Sequence, residues 1–200
     1  MLPENSINES QKITIYADMD GVMTKYDYDL YVPRIEGETP PFLQLNRHVF
    51  ADMEENKNFM IAYNILYNKY RNSELVNVKV LTGIPVGLLQ AEHTIDKYGW
   101  CDGHIDEFNQ EDFFCVSIPK HDAVSSCLWN LTKYDILIDD YPKNLENWRK
   151  HGGTAIKCVN GINSVNPDYQ YIKTDWSPDR IVQKIESIIQ SYTNCLIKDN

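Results

Sequence analysis

Short β-prone runs alternate with segments of helical spacing along most of this chain, and that alternation is the feature that most restricts its fold. The β-prone runs cover residues 13–17, 76–81, 113–118, 135–138 and 154–159. The helical segments cover residues 86–98, 121–132 and 145–150, and a last helix begins near Ser177 and Pro178. Strands that alternate with helices predict a parallel sheet with helices on both faces. We therefore expect an α/β protein with a Rossmann-like, three-layer α/β/α core.

Residues 25–73 interrupt the alternation, because a connection of this length between the first two strands exceeds a simple crossover loop. The segment starts with aromatic residues, passes through a turn-rich patch and then becomes helical. One face of that helix carries Phe59, Tyr63, Leu66 and Tyr70. We predict a small helical cap inserted after the first strand; a packing subdomain without a role in substrate binding is the alternative. The core would then consist of residues 11–24 and 74–200, and residues 1–10 would form a flexible N-terminus.

The composition excludes several classes of protein and partner. The 19 basic and 29 acidic residues give a net charge of −10 and an isoelectric point near 4.9, so a general binder of nucleic-acid polymers is not expected. The five cysteines form no CxxC pair, which gives no support for a zinc ribbon or a dithiol redox motif. The polar N-terminus and the lack of a long apolar run predict a soluble cytoplasmic protein without a membrane partner. Homodimerisation is left open by the sequence.

Polar side chains follow four of the predicted strands at the point where each strand ends. In chain order these residues are Asp18 and Asp20 before Gly21, then Thr82 and Gly83, then Lys120, and then Asp139 and Asp140. Because right-handed crossovers bring the carboxyl ends of parallel strands to one edge, these side chains are expected to converge there. Each has an ordinary alternative: an acidic surface turn, simple turn chemistry, a solvated lysine or a helix cap. Their joint occurrence in this order favours a functional site, and Gly21 would permit the turn and a close approach to a ligand.

The strings at these strand ends resemble those of the haloacid dehalogenase-like (HAD) superfamily of phosphatases, which use an aspartate nucleophile. The strings are Ala17-Asp18-Met19-Asp20-Gly21-Val22, Val80-Leu81-Thr82-Gly83, Lys97-Tyr98 and Ile136-Leu137-Ile138-Asp139-Asp140. Within the superfamily, the chain is most similar to the cytosolic and mitochondrial 5′(3′)-deoxyribonucleotidases. The resemblance covers residues 13–160 and is loose in the cap. Two places differ from that family: Tyr141 replaces an arginine, and Gly83-Ile84-Pro85-Val86 stands where a serine and a basic residue follow the threonine.

The resemblance implies catalytic and phosphate-binding roles for five of these residues. Asp18 would be the nucleophile that forms an aspartyl-phosphate. Asp20 would protonate the leaving oxygen and later help to activate water, so its carboxyl must carry a proton when the ester bond breaks. Thr82, the backbone N–H of Gly83 and the charge of Lys120 would bind the phosphoryl oxygens and stabilise the negative charge that develops on them.

The resemblance also implies a Mg²⁺ site, because a carboxylate cannot approach a dianionic phosphate without a cation between them. The protein ligands would be the carboxylate of Asp18, the backbone carbonyl of Asp20 and one acid from the end of the fourth strand. Asp140 is the expected acid and Asp139 is the close alternative. The carboxylate that does not bind the metal would orient Lys120 or a metal-bound water.

The cap would determine the substrate, and its aromatic residues are the only guide. Tyr26 stands where the resembling enzymes place an aromatic ring against the nucleobase. Tyr28, Tyr31 and Phe42 would complete that pocket or form the core of the cap. We therefore predict a Mg²⁺-dependent phosphomonoester hydrolase for a small phosphorylated metabolite, with a deoxyribonucleoside 5′-monophosphate as the first choice. The alternatives are a HAD phosphatase for a sugar phosphate or another phosphometabolite, and a catalytically idle protein that binds a nucleotide or a partner.

Overall fold

Six parallel strands form one sheet in the computed structural model, which describes residues 12–26, 48–127 and 130–199. The strands are β1 (Ile13–Ala17), β2 (Val76–Gly83), β3 (Phe113–Val116), β4 (Asp135–Asp139), β5 (Thr154–Val159) and β6 (Gln170–Lys173). Their order across the sheet is β3-β2-β1-β4-β5-β6. The direction of winding reverses between β1 and β4, and open parallel sheets bind ligands at such a switch point.

The described residues also contain five α-helices and one short 3-10 helix. The α-helices are α1 (Lys57–Tyr70), α2 (Gln90–His104), α3 (Lys120–Cys127), α4 (Pro142–Lys150) and α5 (Pro178–Asp199), and the 3-10 helix is Gln110–Asp112. Within these described stretches, no helix combines the length and the hydrophobicity that a membrane crossing requires.

Alternate side chains of the strands pack on opposite faces of the sheet, as the pleat of a β-strand dictates. On one face, Ile13 and Ile15 of β1 belong to a hydrophobic core that they share with α1 and α5. On the other face, Tyr16 packs edge-on against Trp148 of α4, with the ring centroids 5.5 Å apart. The predicted Rossmann-like α/β/α layers are therefore confirmed.

The last helix begins where the sequence predicts. Ser177 Oγ accepts a hydrogen bond from the backbone N–H of Arg180 at 3.4 Å, which is the contact of an N-cap serine. Pro178 occupies the first helical position, where its missing N–H has no intrahelical partner to lose. Four isoleucines on one face of the helix are buried against the sheet: Ile181, Ile185, Ile188 and Ile189.

The prediction for the second helix is wrong in its boundaries and in its buried face. The helix covers Gln90–His104 instead of residues 86–98. Leu88 is fully exposed and Ile95 is 69% exposed, although their helical spacing suggested a buried stripe. The buried face of α2 instead carries His93, Asp96, Lys97, Trp100 and Cys101. Polar side chains therefore point from this helix into the protein, which apolar periodicity could not reveal.

The part of the predicted cap that the structure describes packs against the core. Within residues 48–73, α1 contacts β2 and α5. Three residues of its predicted apolar face, Phe59, Tyr63 and Leu66, are buried in the same core as β1. Residues 27–47 lie outside the described residues, so the division of the chain into a core and a cap stays a prediction.

Candidate active site

Three buried carboxylates meet at the carboxyl edge of the sheet. Asp18 directly follows β1, and Asp139 and Asp140 stand at the end of the neighbouring strand β4. One carboxylate oxygen from each of the three lies within 4.8 Å of the others. We call Asp18, Asp139 and Asp140 the acidic cluster. The structure thus brings together three acids that the sequence placed at two separate strand ends.

Lys120 joins the acidic cluster from the first residue of α3. Its Nζ lies 2.8 Å from Asp18 Oδ1 and 2.7 Å from Asp139 Oδ2. Burial on its own lowers the pKa of this lysine, but the carboxylates of Asp139 and Asp18 outweigh burial and raise the pKa above its usual value. Lys120 is therefore a positive charge between these two acids, at the edge of the sheet where the strand-end pattern places it.

The two acids at the end of β4, Asp139 and Asp140, differ in their hydrogen bonds. Asp139 Oδ1 accepts from the backbone N–H of Tyr141 at 2.8 Å, and its Oδ2 accepts from Asn144 Nδ2 at 2.9 Å as well as from Lys120. Both oxygens of Asp139 are thus engaged by the protein. Asp140 Oδ2 accepts from the neutral amide of Asn160 at 2.8 Å. Asp139 is therefore suited to orient Lys120.

A second group of contacts surrounds Lys97, which no prediction from the sequence assigned a role. Its side chain is completely buried, and its Nζ donates to Asp20 Oδ2, to Thr82 Oγ1 at 2.9 Å and to the carbonyl oxygen of Gly83 at 2.8 Å. Thr82 itself is fully buried at the end of β2. Lys97 thus brings together Asp20, Thr82 and Gly83, whereas Lys120 contacts the acidic cluster.

Only one of the two carboxylate oxygens of Asp20 accepts a hydrogen bond from a described residue. Burial raises the pKa of its carboxyl, and the negative charge of Asp18 raises it further. The Lys97 ammonium lowers this pKa but does not cancel the rise. While Oδ2 accepts from Lys97, the buried Oδ1 has no hydrogen-bond partner among the described residues. A carboxyl with a raised pKa and one unpartnered oxygen is suited to carry a proton there.

Gly21 allows the turn after β1 that the sequence predicts. The structure brings this turn against the acidic cluster, whereas the close approach expected from the sequence was to a ligand and stays a prediction. The φ of Gly21 is +75°, which disfavours any residue with a Cβ. A Cβ at this position would also lie 2.3 Å from Asp140 Oδ2. Asn160 Nδ2 donates to the carbonyl oxygen of Gly21 at 2.9 Å as well as to Asp140. The turn and the third acid are therefore fixed to one another through Asn160.

The loop after β5 supports Asp140 through two asparagines that sequence reasoning missed. Besides the contacts of Asn160, Asn163 Nδ2 donates to the carbonyl oxygens of Asp140 at 3.2 Å and Cys158 at 3.0 Å. The signal in the sequence was present, because Asn160 directly follows a predicted strand, as the other site residues do. An asparagine at a strand end is also ordinary turn chemistry, so it did not stand out.

The predicted base-contacting residue packs with the core. Tyr26 is partly buried and contacts the main hydrophobic core. The three aromatic residues that would complete the pocket, Tyr28, Tyr31 and Phe42, lie outside the described residues. A cleft of about 590 Å³ is present beside Asn160, and polar or charged side chains line it: Lys25, Glu54, Glu55, Asn56, Lys57, Asn58, Asn160, Thr174 and Asp175.

The acidic cluster fits Mg²⁺ by its chemistry. Its donors are carboxylate oxygens, which are the ligands that this hard cation prefers. The three buried carboxylates lie close together with one ammonium, that of Lys120, which contacts Asp18 and Asp139, so acidic groups outnumber basic ones among these four side chains. A divalent cation would offset that excess, and Asp18 and Asp140 are the residues that would hold it.

Comparisons with known proteins support the fold. No protein-family model matches the chain, and no curated protein matches it. Among solved structures, D,D-heptose 1,7-bisphosphate phosphatase from B. bronchiseptica, complexed with magnesium and phosphate, has the same fold. The match has a TM-score of 0.53 at 8% sequence identity and covers 87% of this chain and 98% of that chain. At this identity the likeness concerns the fold alone, and the fold is one that a Mg²⁺-bound phosphatase uses.

Proposed function

We propose that this protein is a HAD-like, Mg²⁺-dependent phosphatase that hydrolyses a small phosphomonoester through an aspartyl-phosphate. The observation that carries the proposal is the acidic cluster with Lys120 inserted between Asp18 and Asp139. Carboxylates that converge on one ammonium at the switch point of a parallel sheet form a site for a cation and a phosphate together. The sequence resemblance to HAD phosphatases and the fold shared with a solved phosphatase support the same reading.

In the first step, a carboxylate oxygen of Asp18 attacks phosphorus, and the bond from phosphorus to the ester oxygen breaks. Asp20 gives its proton to the leaving oxygen, for which its raised pKa and unpartnered Oδ1 are suited. In the second step, water attacks the phosphorus of the aspartyl-phosphate, and Asp20 accepts a proton from that water. The bond from phosphorus to Asp18 breaks, so phosphate is released and the Asp18 carboxylate is restored. Bound Mg²⁺ would supply charge neutralisation between the Asp18 carboxylate and the phosphoryl group.

The remaining residues bind and orient the phosphoryl group. Lys120 stabilises negative charge on the phosphoryl oxygens, and Asp139 fixes the position of Lys120. The hydroxyl of Thr82 and the backbone N–H of Gly83 serve as further donors at the end of β2. With both oxygens of Asp139 engaged by the protein, we assign the third metal-binding acid to Asp140. The backbone carbonyl of Asp20 completes the proposed protein ligands.

The first choice of substrate is a deoxyribonucleoside 5′-monophosphate, which rests on the resemblance and on Tyr26 as the base contact. A sugar phosphate is the second candidate, and one observation favours it. The solved phosphatase that shares the fold is named for a heptose bisphosphate, which is a sugar phosphate. The proposal includes no nucleic-acid polymer and no membrane.

Phosphate release from a panel of substrates tests the proposed function. The panel contains deoxy- and ribonucleoside monophosphates and sugar phosphates, each with Mg²⁺ and with EDTA. Metal-dependent release from nucleotides supports the first substrate, and metal-dependent release from sugar phosphates alone supports the second. A cooperative thermal transition verifies that the protein is folded. If the folded protein releases phosphate from none of these substrates, the phosphatase proposal is wrong, and the alternative of a catalytically idle binding protein takes its place.

A further inference from the structure

Lys97 is a lysine in the middle of α2 whose side chain is completely buried. Its Nζ lies 4.3 Å from the centroid of the Phe50 ring. Burying an ammonium is unfavourable unless hydrogen bonds and opposite charge compensate for the lost water. The contacts of Lys97 therefore indicate what this charge is placed to do.

All three hydrogens of the Lys97 ammonium have an acceptor. They go to Asp20 Oδ2, to Thr82 Oγ1 at 2.9 Å and to the carbonyl oxygen of Gly83 at 2.8 Å. Asp20 follows β1, whereas Thr82 and Gly83 end β2. A single side chain from a helix thus connects the proposed acid of the reaction with the proposed phosphate-binding strand end.

The contact with Lys97 decides whether the hydroxyl of Thr82 acts as a hydrogen-bond acceptor or donor toward it. An ammonium only donates, so Thr82 Oγ1 must be the acceptor, and the hydrogen of its hydroxyl is left to point elsewhere. The oxygens of a phosphate dianion accept hydrogen bonds, so a hydroxyl that is constrained in this way is ready to donate to them. Asp20 is constrained in the same manner, because Lys97 holds Oδ2 and leaves Oδ1 without a partner among the described residues.

We propose that Lys97 is a positioning residue for the proposed phosphatase reaction. It sets the hydroxyl of Thr82 as a donor toward the phosphoryl group, and it holds Asp20 by Oδ2 so that Oδ1 is the oxygen left to act on the leaving group. The inference rests on the proposed function, but the geometry that it requires has a readout of its own.

The first experiment measures that geometry without turnover. In a ¹H–¹⁵N spectrum of the lysine side chains, a buried ammonium with three acceptors exchanges its hydrogens slowly and gives a signal of its own. We expect one such signal to disappear in Lys97→Met and to shift in Thr82→Val and in Asp20→Asn. The signal of Lys120, which contacts neither Thr82 nor Asp20 through a hydrogen bond, should not shift in Thr82→Val. A Lys97 signal that is unaffected by both partner variants overturns the inference.

The second experiment measures turnover on a substrate that the panel identifies. Lys97→Met should lower kcat by about 100-fold while KM changes less, because positioning of an acid and a hydrogen-bond donor acts on the transition state. In an Asp20→Asn background, the same change should cost only about 3-fold, because part of the effect acts through Asp20. Lys79→Met is the matched control. Lys79 also lies in a salt bridge, 3.4 Å from Asp112, but it stands three residues before Thr82 on β2 and contacts none of the proposed site residues in a salt bridge, so its loss should leave kcat unchanged.

The outcomes separate this inference from the proposed function. If Lys97→Met costs the same factor in kcat in the parent protein and in the Asp20→Asn background, Lys97 does not act through Asp20, and the inference is overturned while the phosphatase function stands. If no substrate is hydrolysed, the function fails and the spectrum still tests the position of Lys97. If Lys97→Met does not fold, Lys97→Gln, which keeps a donor, replaces it, and the shift of the Lys97 signal in Thr82→Val tests the contact in a protein that retains the lysine.

Discussion

Lys120 Nζ lies 2.7 Å from Asp139 Oδ2, and both side chains are buried. Because Asp139 also accepts hydrogen bonds from Asn144 and from the backbone of Tyr141, its two oxygens are committed to the protein. This relationship distinguishes Asp139 from Asp140, its neighbour at the end of β4. Under the proposed function, Asp139 positions the lysine, and Asp140 is the acid proposed to bind Mg²⁺.

Neutral variants of the two acids should therefore have different phenotypes. Asp140→Asn should raise the Mg²⁺ concentration for half-maximal activity by at least about 10-fold, because it removes a metal-binding charge. Asp139→Asn should lower kcat with little change in that concentration, because Lys120 loses the partner that orients it. Titration of phosphate release with Mg²⁺ measures both quantities, and thermal unfolding verifies that each variant is folded. The opposite pattern would assign the metal to Asp139.

The residues at strand ends could be predicted from the sequence because a parallel sheet brings such ends together whatever the details of the loops. Asp18, Lys120 and Asp139 lie far apart in the chain, yet the rule places them at one edge, where the structure has them in direct contact. The turn at Gly21 could also be predicted, and its positive φ favours glycine there, but its close packing against Asp140 was not predicted.

Other parts could not be predicted, for identifiable physical reasons. Lys97 lies in the middle of a helix, where a lysine usually extends into water, and its burial depends on tertiary contacts with Asp20 and Thr82. The sixth strand, β6, is a short edge strand in which only Ile172 is fully buried, so it has no apolar run to mark it. The contact of Asn160 with both Asp140 and Gly21 depends on the path of a loop, which no periodicity encodes.

Gly21→Ala should lower the phosphatase activity strongly and the thermal stability only modestly. The φ of +75° makes a Cβ unfavourable by roughly 1 kcal/mol. The added carbon would also lie 2.3 Å from Asp140 Oδ2, so the carboxylate must move away from its place in the acidic cluster. We expect a large loss of Mg²⁺-dependent phosphate release together with only a modest decrease in thermal stability.

Gly87→Ala is the control for that substitution. Gly87 lies in the loop after β2, and a Cβ there would have no heavy atom within 4 Å. This variant should retain both its activity and its thermal stability. If Gly21→Ala behaves like Gly87→Ala, the close packing of the turn against Asp140 is not required for the reaction.

Tyr67 supplies a pH-dependent contribution to stability that is remote from the acidic cluster. Its hydroxyl donates to Asp112 Oδ2 and accepts from the backbone N–H of Asn109, both at 2.9 Å. Burial, assisted by the Asp112 carboxylate, raises the pKa of this phenol from 10.0 to about 12. Between these two values the unfolded chain loses the proton that the folded protein retains, so the contribution is complete below pH 10 and is lost as the pH rises toward 12.

Tyr67→Phe should therefore reduce the free energy of unfolding by about 1–3 kcal/mol at pH 8, because two hydrogen-bonding groups lose their partner. The difference between the parent protein and the variant should become smaller at pH 11. Urea unfolding at the two pH values measures it, and groups that titrate in both proteins cancel in the comparison. A difference that is the same at both pH values would show that the phenol of Tyr67 does not titrate differently in the folded and unfolded states.

Asp18→Asn should abolish turnover and leave the fold intact. The amide oxygen of asparagine still accepts the hydrogen bond that Asp18 Oδ1 accepts from the backbone N–H of Met19 at 2.8 Å, so the turn after β1 is preserved. An amide is not a nucleophile toward phosphorus, and it also removes a charge from the acidic cluster. We expect phosphate release to fall by at least about 10³-fold, the scale of loss when a nucleophile is removed.

Asp135→Asn is the matched control for Asp18, because it makes the same chemical change at the opposite end of a neighbouring strand. Asp135 is buried at the start of β4, where its Oδ2 accepts from the backbone N–H and the hydroxyl of Thr132, at 2.8 and 3.0 Å. Since the amide oxygen of asparagine can accept the same hydrogen bonds, this variant should fold and retain its turnover. Substantial activity in Asp18→Asn would exclude Asp18 as the nucleophile. Equal losses in both variants, with both folded, would show that the effect is not specific to the carboxyl edge of the sheet.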